Sequence, residues 1–167
     1  MSLVNIANVK IDKNETSIKD PINLEIEISV NENLTQNVRF KVTYIVSGDE
    51  ALDQVLTMAD VGPFALGKSK FTLSCPAPDL DKIPKDELVG SNVLVLSAEY
   101  KNQEFVRVGY YVNNKYNDEE LDKNPPESPI IDKLVREILS GKPIVTKKNI
   151  EYLISFFLFL FPFRMFD

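Results

Sequence analysis

Apolar and polar residues alternate along several stretches of this 167-residue chain. The clearest stretch runs from Ile22 to Val30, where every second residue is Ile, Leu or Val and the residues between are mostly polar. This period of two is typical of a β-strand with one buried face. The same pattern returns from Val38 to Tyr44, after a polar turn at residues 31–37. We therefore predict that these two strands lie in one antiparallel sheet.

Further strands are predicted from shorter alternating segments, and a crossover loop with a helical turn near Pro84 is predicted between Pro78 and Gly90. The last two strands are the longest, and the short turn 101–103 joins them. About seven strands without a long helical period predict an all-β fold, an immunoglobulin-like β-sandwich with short helical loops. The further strand segments are Leu3 to Ile11, Ala51 to Met58, Phe71 to Cys75, Ser91 to Tyr100 and Glu104 to Asn113.

The last third of the chain changes character. Four apolar residues, Leu134, Val135, Ile138 and Leu139, have helical spacing and predict a short helix that ends before Gly141 and Pro143. Ile144 to Thr146 then reads as an extended segment. We predict one domain over residues 1–146 and an atypical hydrophobic C-terminal tail over residues 147–167.

The tail is apolar from Tyr152 to Phe161 except at Ser155, about half the length that a membrane-spanning helix needs. A full membrane anchor is therefore not expected. An unspliced exon end and a genuine hydrophobic interaction segment both remain open for this tail. A membrane-associated scaffold is a further, less favoured hypothesis.

Composition restricts the chemistry. The chain contains no histidine and a single cysteine, and its net charge is -6. The usual general base and the commonest metal ligand are absent, so we expect no enzyme activity, no metal site and no cofactor. The acidic balance argues against direct binding of nucleic acid and suits a basic partner. Cys75 is expected to be a buried structural thiol.

The last two strands carry unusual residues on their predicted outer faces. Phe105, Arg107, Gly109 and Tyr111 share one face, and Val93 and Val95 begin the corresponding face of the preceding strand. An outer sheet face is normally polar, and Arg and Tyr are enriched in binding hot spots. The pattern predicts a protein-binding surface, with acidic residues at its rim: Asp49, Glu50, Asp53, Asp86 and Glu87.

Two structural explanations compete with this prediction. The predicted helix at residues 134–139 could cover the two valines, and the Arg107 and Tyr111 side chains could form a simple cross-strand contact. On spacing alone, the binding surface and these explanations are equally supported.

The segment Gln103 to Asn114, with the sequence QEFVRVGYYVNN, resembles the signature of the anti-silencing function histone chaperones. Three shorter motifs match the same family in the same order: residues 53–56 (DQVL), residues 61–63 (VGP) and residues 124–126 (NPP). The resemblance implies an immunoglobulin-like domain in the nucleus. It also implies binding to the dimer of core histones three and four, masking the histone-three surface that forms the tetramer.

The resemblance also implies which residues of this chain would bind histones. Val93, Arg107 and Tyr111 would be central to the histone-three contact, with Leu94 and Val95 nearby. The remaining residues would surround them: Asp53 at the edge, Glu87 where the family often has Asp, and Val145 in the segment that would receive a histone-four strand, flanked by Leu139 and Pro143.

One departure from the family pattern concerns the turn before the strand at Val38. The family typically has an acidic pair there, which binds downstream nucleosome-assembly chaperones, whereas this chain has Gln36 and Asn37. Binding of those partners is therefore not assumed. An adaptor domain that binds another basic or extended peptide is the alternative function.

Overall fold

The computed structural model describes residues 2–46 and 48–148 of the chain. These residues form ten strands in two antiparallel sheets, which confirms the predicted all-β sandwich. The strands are β1 (Val4–Ile11), β2 (Glu15–Ser17), β3 (Ile22–Val30), β4 (Val38–Ile45), β5 (Gln54–Val61), β6 (Gly67–Cys75), β7 (Gly90–Tyr100), β8 (Gln103–Tyr116), β9 (Leu134–Ile138) and β10 (Ile144–Lys147).

Short helical turns lie in the connections between strands, as predicted. The α-helices are α1 (Lys85–Leu88), which Pro84 precedes, and α2 (Glu119–Lys123), and single 3₁₀ turns cover Glu50–Leu52, Leu80–Lys82 and Ile131–Lys133. The turn Glu50–Leu52 occupies the beginning of the segment that we predicted as a strand from Ala51, so β5 begins only at Gln54.

The strands divide into a three-stranded sheet of order β1-β3-β6 and a seven-stranded sheet, in which six strands have the order β2-β9-β8-β7-β4-β5 and the seventh, β10, pairs with β8. The long strand β8 pairs with β9 through its C-terminal half and with β10 through its N-terminal half. Both partners extend the same edge of β8 because β7 occupies the other edge.

The core lies between the two sheets. Alternate side chains of β3 and β4 point into it, and Ile26, Ile28, Phe40 and Val42 have no exposed surface. Phe40 contacts Phe71 edge to face, with ring centroids 4.9 Å apart. Cys75 is buried as predicted, and burial raises the pKa of its thiol to about 11.

The prediction that β3 and β4 share a sheet is wrong. β3 pairs with β1 and β6, whereas β4 pairs with β5 and β7. The loop 31–37 crosses from one sheet to the other, held by the Leu34 N–H donating to Phe64 O at 2.8 Å and the Thr35 N–H donating to Tyr100 Oη at 3.1 Å. Alternation shows which face of a strand is buried but not which sheet contains it.

The prediction of a helix at residues 134–139 is also wrong, because Leu134–Ile138 is strand β9. Leu134, Arg136 and Ile138 are buried at a period of two. Arg136 concealed that period because a buried arginine looks like an exposed position in the sequence. Its Nη1 donates to Ile18 O at 3.2 Å and its Nη2 donates to Asp20 O at 2.7 Å. Main-chain carbonyls therefore accept hydrogen bonds from both terminal nitrogens of this buried guanidinium.

The hairpin between β7 and β8 is tight. Lys101 and Asn102 have φ values of 50° and 64°, the left-handed conformation of a two-residue hairpin turn. Close to the turn, a register shift places Ala98 opposite Val106 and Glu99 opposite Glu104. Phe105 is therefore the extra residue of a β-bulge in β8. Phe105 is 2% exposed within the core, and its predicted place on the outer face is therefore wrong.

Residues 149–167 of the predicted tail 147–167 lie outside the described residues, and the boundary between residues 146 and 147 remains a prediction. Lys147 still belongs to β10, in the edge of the seven-stranded sheet. Among the described residues, no helix is both long and apolar enough to cross a membrane.

Candidate protein-binding surface

The pairing of β7 with β8 brings the predicted site residues together on the outer face of the seven-stranded sheet. Val93 lies opposite Tyr111, and Ser97 lies opposite Arg107. Val95 lies between these pairs, opposite Gly109. Tyr111 is 49% exposed, whereas Val93 is partly exposed and Val95 is buried, with 9% of its surface accessible.

Apolar residues continue across this face beyond the two predicted strands. The register aligns one residue from each of five strands, from one edge of the sheet to the other. We call this line the apolar row, and its end residues Val55 and Ile144 are 55% and 52% exposed. The row consists of Val55 (β5), Thr43 (β4), Val95 (β7), Gly109 (β8) and Ile144 (β10).

Among the described residues, the segment proposed to cover the two valines as a helix is instead strand β9. Neither Val93 nor Val95 belongs to the core cluster of the sandwich. These two observations favour the binding surface over the first of the competing explanations.

Arg107 is already oriented in the free protein. Its Nη2 donates to the Glu104 carboxylate at 3.1 Å, and its Nε donates to the same group at 3.3 Å. The second competing explanation, an Arg107–Tyr111 contact, is not the arrangement found. The side chain of Arg107 remains 57% exposed, so it can contact a partner without leaving Glu104.

Acidic residues lie at the end of the sheet where Val93 begins its strand. Asp53 is exposed at the end of the 3₁₀ turn that carries Glu50. Partial desolvation, followed by repulsion from Glu50 and Asp49, raises the pKa of the Asp53 carboxyl above its usual value. This carboxylate therefore lies in a locally negative field, as expected for the rim of a site for a basic partner.

The loop that carries Glu87 is tied to the same end of the sheet. Gln54 exchanges two hydrogen bonds with the main chain of Asp79, at 2.8 and 3.0 Å. The buried Asn114 Nδ2 donates to Leu88 O at 3.1 Å, at the end of α1. These bonds fix α1, and with it Glu87, relative to the start of β5 and the C-terminal end of β8.

Leu94 differs from the other predicted site residues. It is 1% exposed and belongs to the core cluster, so its side chain faces the opposite sheet and not the candidate surface. A contribution of Leu94 to binding would be limited to its main chain or to the packing beneath Val93 and Val95.

Among residues 2–46 and 48–148, β8 is the only strand that pairs with β10. The Lys148 N–H donates to Phe105 O at 2.8 Å, so the antiparallel alternation directs the N–H groups of Ile144 and Thr146 towards β8 and those of Val145 and Lys147 away from it. Val145 is 48% exposed and Leu139 is 40% exposed, and Pro143 directly precedes the strand. The three predicted residues therefore lie along one edge of the described part of the seven-stranded sheet.

The sequence interpretation missed the contributions of β4 and β5 to this surface. Val55 and Met58 are 55% and 54% exposed on β5, and Thr43 and Ile45 lie opposite Val95 and Val93. The pairing of β4 with β7 joins segments about fifty residues apart, which the alternation of either strand does not reveal.

Gln36 and Asn37 are exposed at the opposite end of the sheet from Val93. Nearby, Arg39 forms a two-pronged pair with Asp60, at 2.8 and 3.2 Å, and lies 3.7 Å from Glu99. The carboxylates of Asp60 and Glu99 are thus already engaged by an arginine of the same chain.

Comparisons with known proteins identify relatives over nearly the whole chain. Residues 1–153 match the family model described as ASF1 like histone chaperone. The histone chaperone ASF1 of Mycosarcoma maydis is 42% identical over 153 residues, which cover 91% of this chain and 88% of that protein. The histone chaperone asf1 of Dictyostelium discoideum is 39% identical, with coverage of 91% and 99%. The Saccharomyces cerevisiae ASF1 is 42% identical, but only 54% of its length is covered.

Proposed function

This chain belongs to the family of ASF1 like histone chaperones, which are not enzymes, and we propose that it binds the dimer of core histones three and four. It would mask the histone-three surface through which two such dimers join. The observation that carries this proposal is the apolar row on an open sheet face, bordered by Val93, Tyr111 and Arg107.

The apolar row would supply much of the binding free energy for histone three. Fully burying a Val or Ile side chain contributes roughly 1.5 to 3 kcal/mol, and the half-exposed Val55 and Ile144 would complete their burial against a partner. Tyr111 and Arg107 add oriented polar contacts, because Glu104 already restricts the arginine. A partner helix with apolar residues on one side would fit such a flat, partly apolar sheet.

The acidic rim would speed association without determining its strength. The chain has a net charge of -6, and the rim residues Asp53 and Glu87 lie at the end of the sheet beside Val93. Charges at a rim mainly increase the association rate with a partner of opposite sign. Histones are basic, so this rim suits them.

Histone four would bind by strand addition at β10. The outward N–H and C=O groups of Val145 and Lys147 would pair with an extended histone-four segment, and Leu139 and Val145 would contact its side chains. Main-chain pairing explains why the side chains of β10 would matter less than its backbone.

We place the protein in the nucleus, where nucleosomes are assembled. Downstream assembly chaperones with basic peptides are not assigned to the end of the sheet at Gln36 and Asn37. The nearby carboxylates of Asp60 and Glu99 are paired with Arg39, so a basic peptide would have to displace an arginine there.

The direct test mixes purified protein with histones three and four and measures the mass of the product by light scattering. A complex with one copy of each of the three proteins is expected, in which the histone tetramer is absent. No complex at micromolar concentration, or a complex that still contains the tetramer, would refute the masking mechanism. Equal binding of an unrelated basic peptide, competing with histone three, would support the adaptor alternative instead.

A further inference from the structure

Gly109 is the one glycine in the apolar row, where it is the fourth of five residues. It lies within β8, between Val95 on one side and Ile144 on the other. The alternation of β8 directs Val108 and Tyr110 into the core, so the missing side chain of Gly109 would point to the outer face.

The fold itself does not require glycine at this position. The backbone of Gly109 does not have the positive φ found at Gly62, Gly67 and Gly90. A Cβ atom added to Gly109 would meet Ile144 O at 3.8 Å and Val93 Cγ1 at 4.0 Å, which are ordinary van der Waals distances. At Gly62, in contrast, the added atom would lie 2.9 Å from Phe64 N.

Glycine in a strand interior has a cost, because it loses more backbone entropy on folding than other residues and has no side chain to pack. Such glycines often mark places where a ligand or another chain approaches closely. Since neither backbone conformation nor crowding explains Gly109, close approach of a partner is the remaining physical reason.

We propose that Gly109 is a specificity-determining residue, whose missing side chain leaves a notch in the outer face. Gly109 forms the buried floor of this notch, and Val93, Val95 and Ile144 form its walls. The walls are branched and apolar, so the notch takes a branched aliphatic side chain of the partner. This inference rests on the proposed function, under which that side chain belongs to histone three.

The test measures the affinity for the histone dimer of the wild type, Gly109→Ala and Gly109→Val. An added methyl group would occupy the notch and overpack its contact with the partner side chain. We therefore expect Gly109→Ala to bind at least about tenfold more weakly than the wild type, and Gly109→Val more weakly still. The melting temperature of Gly109→Ala should equal or exceed that of the wild type. Ser74→Thr, which adds a methyl group to an exposed residue of the other sheet, should bind like the wild type.

Wild-type affinity for Gly109→Ala would overturn the notch while leaving the chaperone function intact. Failure of the wild type to bind would instead refute the proposed function. A second measurement on the wild type avoids any folding defect of the variants. The amide resonance of Gly109 should shift when unlabelled histone dimer is added, and an unchanged resonance in a formed complex would also overturn the notch.

Discussion

The outer faces of the two sheets differ in chemistry although they belong to one sandwich. On the three-stranded sheet, Lys68 and Lys70 of β6 lie 3.8 and 3.5 Å from Glu27 and Glu25 of β3. The other outward residues of these two strands, Asn23, Ser29, Thr72 and Ser74, are also polar. On the seven-stranded sheet, the corresponding face carries the apolar row from Val55 to Ile144.

The difference separates what the fold needs from what function adds. A sandwich requires only its inner faces to be apolar, and the ion-paired outer face of the three-stranded sheet satisfies that requirement. The exposed apolar residues of the seven-stranded sheet contribute little to the free energy of folding. Their presence is explained when a partner covers them, as expected for an interaction surface.

The largest effect is expected from Val93→Arg. Val93 lies next to the apolar row and outside the core cluster, so an arginine would leave the fold intact but place an unpaired charge in the contact. Burying such a charge costs several kcal/mol, so we expect binding to weaken by about a hundredfold or more, measured by calorimetry.

Thr72→Arg is the matched control for this change, because Thr72 is exposed on the outer face of the three-stranded sheet. It should bind histones like the wild type. If both arginine variants lose binding equally, net charge and not the apolar row determines the affinity, and the contrast between the two faces loses its meaning.

A smaller effect is expected at β10 from Val145→Pro. Proline removes an N–H that points away from β8, so it should impair addition of a histone-four strand while leaving the β10–β8 ladder in place. The variant loses one uncharged main-chain hydrogen bond to the added strand and weakens the bonds beside it. We therefore expect it to bind the histone dimer about tenfold more weakly.

Val145→Ala keeps the N–H and removes only the end of the side chain. It should therefore bind within about threefold of the wild type, in the same calorimetric experiment. Equal losses for the two substitutions would show that the side chain of Val145, and not strand addition, is what the partner recognises.

The smallest effect is expected from Asp53→Asn at the rim. Loss of this charge should slow association a few-fold at low salt and hardly change dissociation, because rim charges act on encounter. Stopped-flow kinetics measure the association rate and the dissociation rate. Because the pKa of Asp53 is raised, its charge is lost on acidification at a higher pH than that of an ordinary aspartate, so the difference between the wild type and Asp53→Asn should shrink as the pH falls.

The sequence predicts the strands of this domain better than their arrangement. The alternation at β3 and β4 corresponds to their buried faces, because side-chain direction is a local property of each strand. The assignment of β3 and β4 to one sheet failed, because sheet membership depends on partners that are distant in sequence. β2 is only three residues long and has no periodic signal.

The candidate surface was predicted in part. Val93, Arg107 and Tyr111 lie together because one hairpin carries all three, and a tight turn fixes its register. The extension of the row to Thr43 and Val55 requires the pairing of β4 with β7 and β5, which no local pattern indicates. Phe105 and strand β9 were misjudged because a bulge and the buried guanidinium of Arg136 each break the simple relation between alternation and burial.

The central claim is that histone three covers the outer face of the seven-stranded sheet. Hydroxyl-radical footprinting of the free protein and of its histone complex tests it directly, since Tyr111 is 49% exposed and Leu66, in the loop before β6, is 65% exposed. Modification of Tyr111 should fall several-fold in the complex while that of Leu66 stays constant. Undiminished modification of Tyr111 in a fully formed complex would contradict the account.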